Sequence, residues 1–200
     1  MSVPRALAAA FAAAALLLSA ACDSPFAPKS PFKGVDVTGS PIGDDLRLTD
    51  HYGKARSLAD FRGKVVVVSF GYTHCPDVCP TTLADLAAAV KRLGSDAARV
   101  QVLFVTVDPK RDTPELLRQY VPAFNADFLG LSGDAQATAK VTRDFHVYAQ
   151  ERPGKSSDSY TVDHSAQTFV FDAQGRIRLV LGYGGAPADI ASDLRILLQS

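Results

Sequence analysis

Val65-Val66-Val67-Val68-Ser69-Phe70-Gly71-Tyr72-Thr73-His74-Cys75-Pro76-Asp77-Val78-Cys79-Pro80 is the stretch on which the fold turns. Its first six residues are mostly β-branched and apolar on both faces, as expected of a central strand covered on both sides. Pro76 and Pro80 then punctuate a bend that holds two of the chain's three cysteines. Beyond the bend, Leu83, Leu86, Val90 and Leu93 recur at helical spacing, with Ala87 widening the stripe and Gly94 ending it. Pro80 falls in the first helical turn, where a missing N–H costs nothing. The reading is therefore a buried strand, a cysteine-bearing bend and a helix.

Working outward, the flanks repeat the alternation. Val35–Ile42 and Leu46–Asp50 alternate apolar and polar residues, which suits short half-buried strands, with turn signals at Gly43-Asp44 and Gly53-Lys54. Ser57–Phe61 reads as one helical turn. Val100–Val107 is a second buried strand, and a helix follows with Asp112 or Thr113 as its cap and Leu116, Leu117 and Tyr120 inside. Asp134–Phe145 reads as a third helix. Gln150–Val162 is polar, with Pro153-Gly154 and a serine cluster, and reads as a mobile loop. Gln167–Asp172 and Ile177–Leu181 flank Ala173-Gln174-Gly175 as a hairpin. Pro187–Leu198 closes the chain as a helix. This order implies an α/β sandwich of the thioredoxin-like kind: a central mixed β-sheet flanked by helices, with an N-terminal β-hairpin extension.

The chain has 200 residues, 47% hydrophobic and 21% charged, enough for one domain with a real core. Its 21 basic and 21 acidic residues balance, which leaves no electrostatic footprint for nucleic acid. Three cysteines are too few for a disulfide scaffold. Met1–Arg5 is weakly basic, and Ala6–Ala21 is apolar apart from Ser19, a run short and alanine-diluted for a permanent span of about 20 apolar residues. Residues 1–22 therefore read as an export signal. Leu18-Ser19-Ala20-Ala21-Cys22 resembles a bacterial lipoprotein cleavage site, in which Cys22 becomes the lipidated first residue; Ser19 departs from the usual branched aliphatic residue. Residues 23–33, spaced by Pro25, Pro28 and Pro31, read as a tether, and residues 34–200 as the domain it carries.

A cysteine pair ahead of a helix can serve thiol exchange or a soft metal, because helix N-terminal N–H groups and the dipole favour thiolates. Spacing alone leaves both open, along with a plain disulfide. Three features bear on the choice. Thioredoxin-type oxidoreductases have two residues between the cysteines, and here there are three. Those enzymes also place a proline before the strand facing the cysteines, where this chain has Asp163-His164-Ser165-Ala166-Gln167-Thr168. The residue offered there is a histidine, and two thiolates with one imidazole suit monovalent copper. A structural zinc site would want a fourth ligand.

Three separated motifs then occur in one order: Gly71–Pro80, Val107-Asp108-Pro109-Lys110-Arg111-Asp112-Thr113-Pro114, and Val162-Asp163-His164-Ser165. From about Pro41 to the C-terminus the chain closely resembles the Sco (SenC/PrrC) proteins, thioredoxin-like copper chaperones of cytochrome c oxidase assembly. That resemblance implies one copper ion per domain, bound by Cys75, Cys79 and His164, and delivery to the oxidase subunit with the binuclear copper centre. The alternative is a thiol–disulfide oxidoreductase, with Cys75 and Cys79 as the redox pair, that reduces the same subunit's cysteines. With the export signal, it places the chain on the periplasmic face of the bacterial cytoplasmic membrane, attached through its N-terminus.

The remaining polar residues carry weaker signals. Asp77, between the cysteines, is a candidate for tuning the site, and Asp163 for orienting His164. His74 is a candidate substitute ligand. His51 and His146 read as surface or helix-end residues, and Tyr72 as core or rim packing. Asp108–Asp112 reads equally as a partner surface and as a solvated turn with a helix cap.

Overall fold

The structure is a computed structural model that describes residues 30–43, 45–154 and 159–200. Cys22, the export segment and most of the expected tether lie outside those residues. No helix among the described residues is long and apolar enough to cross a membrane.

The apolar run forms β4 (Val65–Gly71), buried along its whole length. It pairs in parallel with β5 (Val100–Thr106), from Val65 opposite Val100 to Gly71 opposite Thr106. On its other side it pairs antiparallel with β9 (Thr168–Phe171), which turns back into β10 (Ile177–Leu181). The expected hairpin is therefore present, with β9 next to β4. Because successive side chains alternate faces, β4 serves two cores. Val65 and Val67 face α1 (Val78–Lys91) and α4 (Pro187–Leu198), in a core that also holds Leu83, Leu86, Phe104, Val170 and Leu194. Val66, Val68 and Phe70 face the opposite side, where α3 (Ala135–Asp144) contributes Val141 and the residue after it, Phe145, joins them. There Phe145 meets the edges of Phe70, Phe169 and Phe171 at centroid distances of 5.1, 5.2 and 5.9 Å. Such edge-to-face contacts add about 0.5–1.5 kcal/mol each beyond the area buried.

Among the described residues the sheet has eight strands, adding β1 (Val35–Asp36), β2 (Arg47–Asp50), β3 (Ala55–Ser57) and β6 (Leu129–Ser132) in the order β1-β10-β9-β4-β5-β6-β2-β3. The N-terminal hairpin is β2–β3, turning through Gly53 at φ +85°. Val35–Asp36 instead crosses to the far edge and pairs with β10. The strand β6 has no counterpart in the sequence reading. It is short and interrupted by Gly130, and that glycine admits a close approach: a Cβ there would lie 3.1 Å from both Leu117 Cβ and Val121 Cγ2. Leu117 belongs to α2 (Pro114–Tyr120), which Thr113 caps by accepting from the Leu116 amide at 3.3 Å.

Two further expectations are corrected. His51 is buried: its Nδ1 accepts from the Gly130 amide at 3.0 Å, joining β2 to β6, and burial holds its pKa down. Its neighbour Asp50 is buried too. Desolvation alone would raise that carboxyl's pKa, but Arg56 and the amides of Lys54 and Tyr52 outweigh it and hold it low. The second correction concerns the polar stretch after α3. It forms β7 (Ala149–Pro153) and β8 (Tyr160–His164), paired antiparallel as a sheet of their own from Ala149 opposite His164 to Pro153 opposite Tyr160. All five residues of β7 are exposed, so no apolar period marks it.

Asp193 on α4 secures the entry to the domain. Only 1% exposed, it accepts the backbone amides of Lys33 and Gly34, each at 2.8 Å. Asp193→Ala removes hydrogen bonds to a charged group and is expected to cost roughly 1.5–3 kcal/mol, read as a lower urea midpoint with unchanged slope.

Candidate metal centre

At the top of β4 the chain must leave the sheet without a side chain in the way. A Cβ on Gly71 would sit 2.6 Å from Cys79 Sγ and 2.8 Å from the Phe104 ring, so only glycine fits. Tyr72 follows, 3% exposed, and its carbonyl accepts from the Cys75 amide at 3.2 Å to close the bend. Asp112 fixes Thr73 from below. Its buried carboxylate accepts from the Thr73 amide at 3.0 Å, the Thr73 hydroxyl at 2.6 Å and the Thr106 hydroxyl at 2.6 Å. Helix α1 starts at Val78, and the Cys75 sulfur accepts from the Cys79 amide at 3.5 Å, taking the place of a polar cap.

His164 enters from the last position of β8. Its Nε2 lies 3.3 Å from Cys79 Sγ. Its Nδ1 lies 2.8 Å from the Ser165 carbonyl, and a carbonyl can only accept, so Nδ1 carries the proton and Nε2 presents a lone pair to the sulfur. The Tyr72 ring backs the imidazole edge-on at 5.9 Å. The ligand atoms of Cys75, Cys79 and His164 all lie within 4.8 Å of one another, the one such group among the described residues.

The two sulfurs differ in setting. Cys75 is half-buried, whereas Cys79 is 3% exposed, and burial pushes its thiol well above the ordinary 9.0. A helix N-terminus by itself favours a thiolate, and so does the backbone hydrogen bond from Tyr72; here desolvation wins, because the sulfur is buried beside Gly71 and Phe104. Without a metal, Cys79 is therefore a thiol that can donate to His164 Nε2. A soft cation held by the three groups would replace that proton.

The other expected residues lie elsewhere. Asp163 is exposed and pairs with Arg152 at 2.8 Å, on the face of β8 opposite His164; the Ser165 carbonyl orients the imidazole instead. Asp77 is exposed and accepts from the Thr81 hydroxyl at 3.5 Å. His74 is exposed beside Thr73 and stands outside the ligand group. Asp108 and Asp112, read as a surface or a turn, are 3% and 1% exposed and buttress the bend and β8. Sequence reasoning missed Gly71 and Asp112 as site residues. A glycine ending an unbroken apolar run was the one available signal for Gly71.

Fold and site together define a class: a thioredoxin-like domain whose helix-head cysteines face a histidine rather than a proline. Within that class the chain belongs to the SCO1/SenC family, whose description covers residues 36–199. It is 42% identical over 133 residues to the mitochondrial protein SCO2 homolog of Bos taurus, covering 66% of this chain and 50% of that one. It is 33% identical to an SCO2-like protein of Rickettsia felis, over 84% of each. The chain thus spans about half the length of the mammalian relative it matches. Among solved structures, that of Bradyrhizobium japonicum ScoI with copper bound superposes with TM-score 0.73 at 41% identity, covering 78% of this chain and 99% of that one.

Proposed function

We propose that this protein is a membrane-tethered copper metallochaperone that carries one ion on Cys75, Cys79 and His164 and hands it to the binuclear copper centre of cytochrome c oxidase. The observation that carries the reading is the convergence of two sulfurs and an imidazole nitrogen within 4.8 Å at the mouth of a thioredoxin-like sheet. Membership of the SCO1/SenC family and the copper-bound relative support it. Thiolate ligands select monovalent copper, and three ligands leave an open side for an acceptor's sulfur or nitrogen. The ion can then pass by ligand exchange without entering water as a free species. An export segment over residues 1–22 with Cys22 lipidated, and a tether over residues 23–33, would place the site on the periplasmic face of the membrane.

The test is titration of the reduced protein with monovalent copper against a competing chelator. One tightly bound equivalent, weakened and more quickly lost in His164→Ala, supports the chaperone. Full affinity and full transfer in His164→Ala would sink it. The second reading, thiol–disulfide exchange, draws on the half-exposure of Cys75 beside Cys79. In that reaction the two thiols become a disulfide, and two electrons and two protons reduce the acceptor's disulfide. Reduction of an oxidised acceptor peptide by protein that takes up no copper would favour it.

Burial of Cys79 gives the copper equilibrium a pH dependence of known sign. The folded thiol holds its proton past pH 9.0, so binding must release that proton throughout the neutral range. Affinity is expected to rise about tenfold per pH unit through this thiol alone, from pH 6 to about 8. Chelator competition across that range checks it, and a flat profile contradicts it. In the copper-free protein the same shift favours the fold below the unfolded thiol's value near 9.0 and is lost as pH rises beyond it.

A further inference from the structure

The strand that delivers His164 belongs to a two-stranded sheet separate from the eight-stranded one, and β7 is exposed throughout. Something other than the main ladder must hold that arm in place. Along β8 the residues Tyr160, Val162 and His164 share one face. Each is gripped by the body at a different point. The Arg111 guanidinium lies 3.6 Å over the Tyr160 ring, and its Nη1 donates to the Tyr160 carbonyl at 2.9 Å. Arg111 Nε donates at 2.5 Å to one oxygen of buried Asp108, and the Tyr160 hydroxyl donates at 2.8 Å to the other. The Val162 backbone faces the Tyr72 hydroxyl, and Val162 packs in the same core as Tyr72. The Tyr72 ring itself stands between Arg111, 5.6 Å from its centroid, and His164, 5.9 Å away.

We infer that Arg111, Asp108 and Tyr160 form a clasp that holds the β7–β8 arm against the body and so sets how firmly His164 closes the metal centre. None of the three belongs to the ligand group, so they are positioning residues. The chemistry suits the task. A guanidinium stacks flat on a phenol while its edge donors engage a carbonyl and a carboxylate, a combination no lysine reproduces. The exposed Lys110–Glu151 pair also joins the turn after β5 to β7, but it is solvent-screened and contributes little. Release of the clasp frees β8 and withdraws the imidazole while Cys75 and Cys79 stay on the body. The arm is thus the moving part in ion release, an inference that rests on the copper reading only for its consequence.

The experiment separates the two. Amide hydrogen exchange is measured on the reduced, copper-free protein and on Tyr160→Phe and Arg111→Lys, followed by the rate of copper loss to a chelator. Tyr160→Phe keeps the ring and loses only the hydroxyl bond, so it preserves the fold even where Arg111→Lys does not. Exchange across 161–163 is expected to quicken roughly tenfold while α1 and β4 keep their protection. Copper loss is expected to quicken in parallel, and in a His164→Ala background the clasp substitutions add nothing further to it. Unchanged exchange across β8 in Tyr160→Phe, or quickening spread equally over α1 and β4, overturns the clasp. If the wild-type protein takes up no copper, the function reading fails and the exchange result still decides whether the clasp holds the arm.

Discussion

Cys79→Ser is expected to abolish tight copper binding while leaving the protein folded. The substitution exchanges a sulfur for a smaller oxygen on a shorter bond, which introduces no clash and leaves a hydroxyl facing His164 Nε2, where the thiol lies 3.3 Å away. The fold therefore keeps a polar group at this position. What it loses is a soft anionic ligand, because a serine hydroxyl does not ionise in this range and oxygen is a poor partner for monovalent copper. Removing an outer partner of a metal ligand typically costs 10–100-fold in affinity, so losing the ligand itself should cost more than roughly a hundredfold. Cys75→Ser follows the same rule, whereas His164→Ala loses less, since two thiolates remain. Competition with a chelator, with circular dichroism to confirm the fold, gives the ranking. Near-wild-type affinity in either serine variant would remove the cysteine pair from the proposed site.

Gly71→Ala is expected to destabilise the domain and to disturb the metal centre with a single methyl group. The added carbon would press on Cys79 Sγ at 2.6 Å and on Phe104 at 2.8 and 3.0 Å. Both neighbours are buried, at 3% and 0% exposure, and Gly71 itself is locked into β4 opposite Thr106. Neither side can give way cheaply, so the substitution should destabilise the fold by about 1–3 kcal/mol. It should also displace Cys79 and lower copper affinity. Gly182→Ala is the control, since a methyl group there would meet nothing within 4 Å and the residue's φ lies outside the left-handed region. Equal urea midpoints for the two alanine variants would refute the account of Gly71.

The unevenness of what could be read from the sequence has physical causes. β4, β5, α1 and α4 announce themselves because both faces of a central strand, or one stripe of a packed helix, must be apolar. β6 and β7 do not. β6 is cut by Gly130, which makes room for α2, and β7 has no buried face to impose a period. His51 reads as a surface histidine because nothing local reveals that Gly130 will come to lie 3.0 Å from its Nδ1.

The metal centre divides along the same line. The sequence by itself determined the ligand types and their order: two cysteines on a proline-flanked bend ahead of a helix, and a histidine where a thioredoxin would have a proline. It did so because bends, caps and apolar periods are local, and because the separated motifs keep their order along the chain. The tertiary structure alone decided which neighbours tune those ligands. It put Ser165's carbonyl, not Asp163, on the imidazole, and it buried Asp108 and Asp112, read from the sequence as a partner surface or a solvated turn, as buttresses. It also set Cys79's protonation, since desolvation depends on the packed chain closing over one sulfur beside Gly71 and Phe104. Burial and through-space contact are properties of the packed chain, and no stretch of sequence carries them alone.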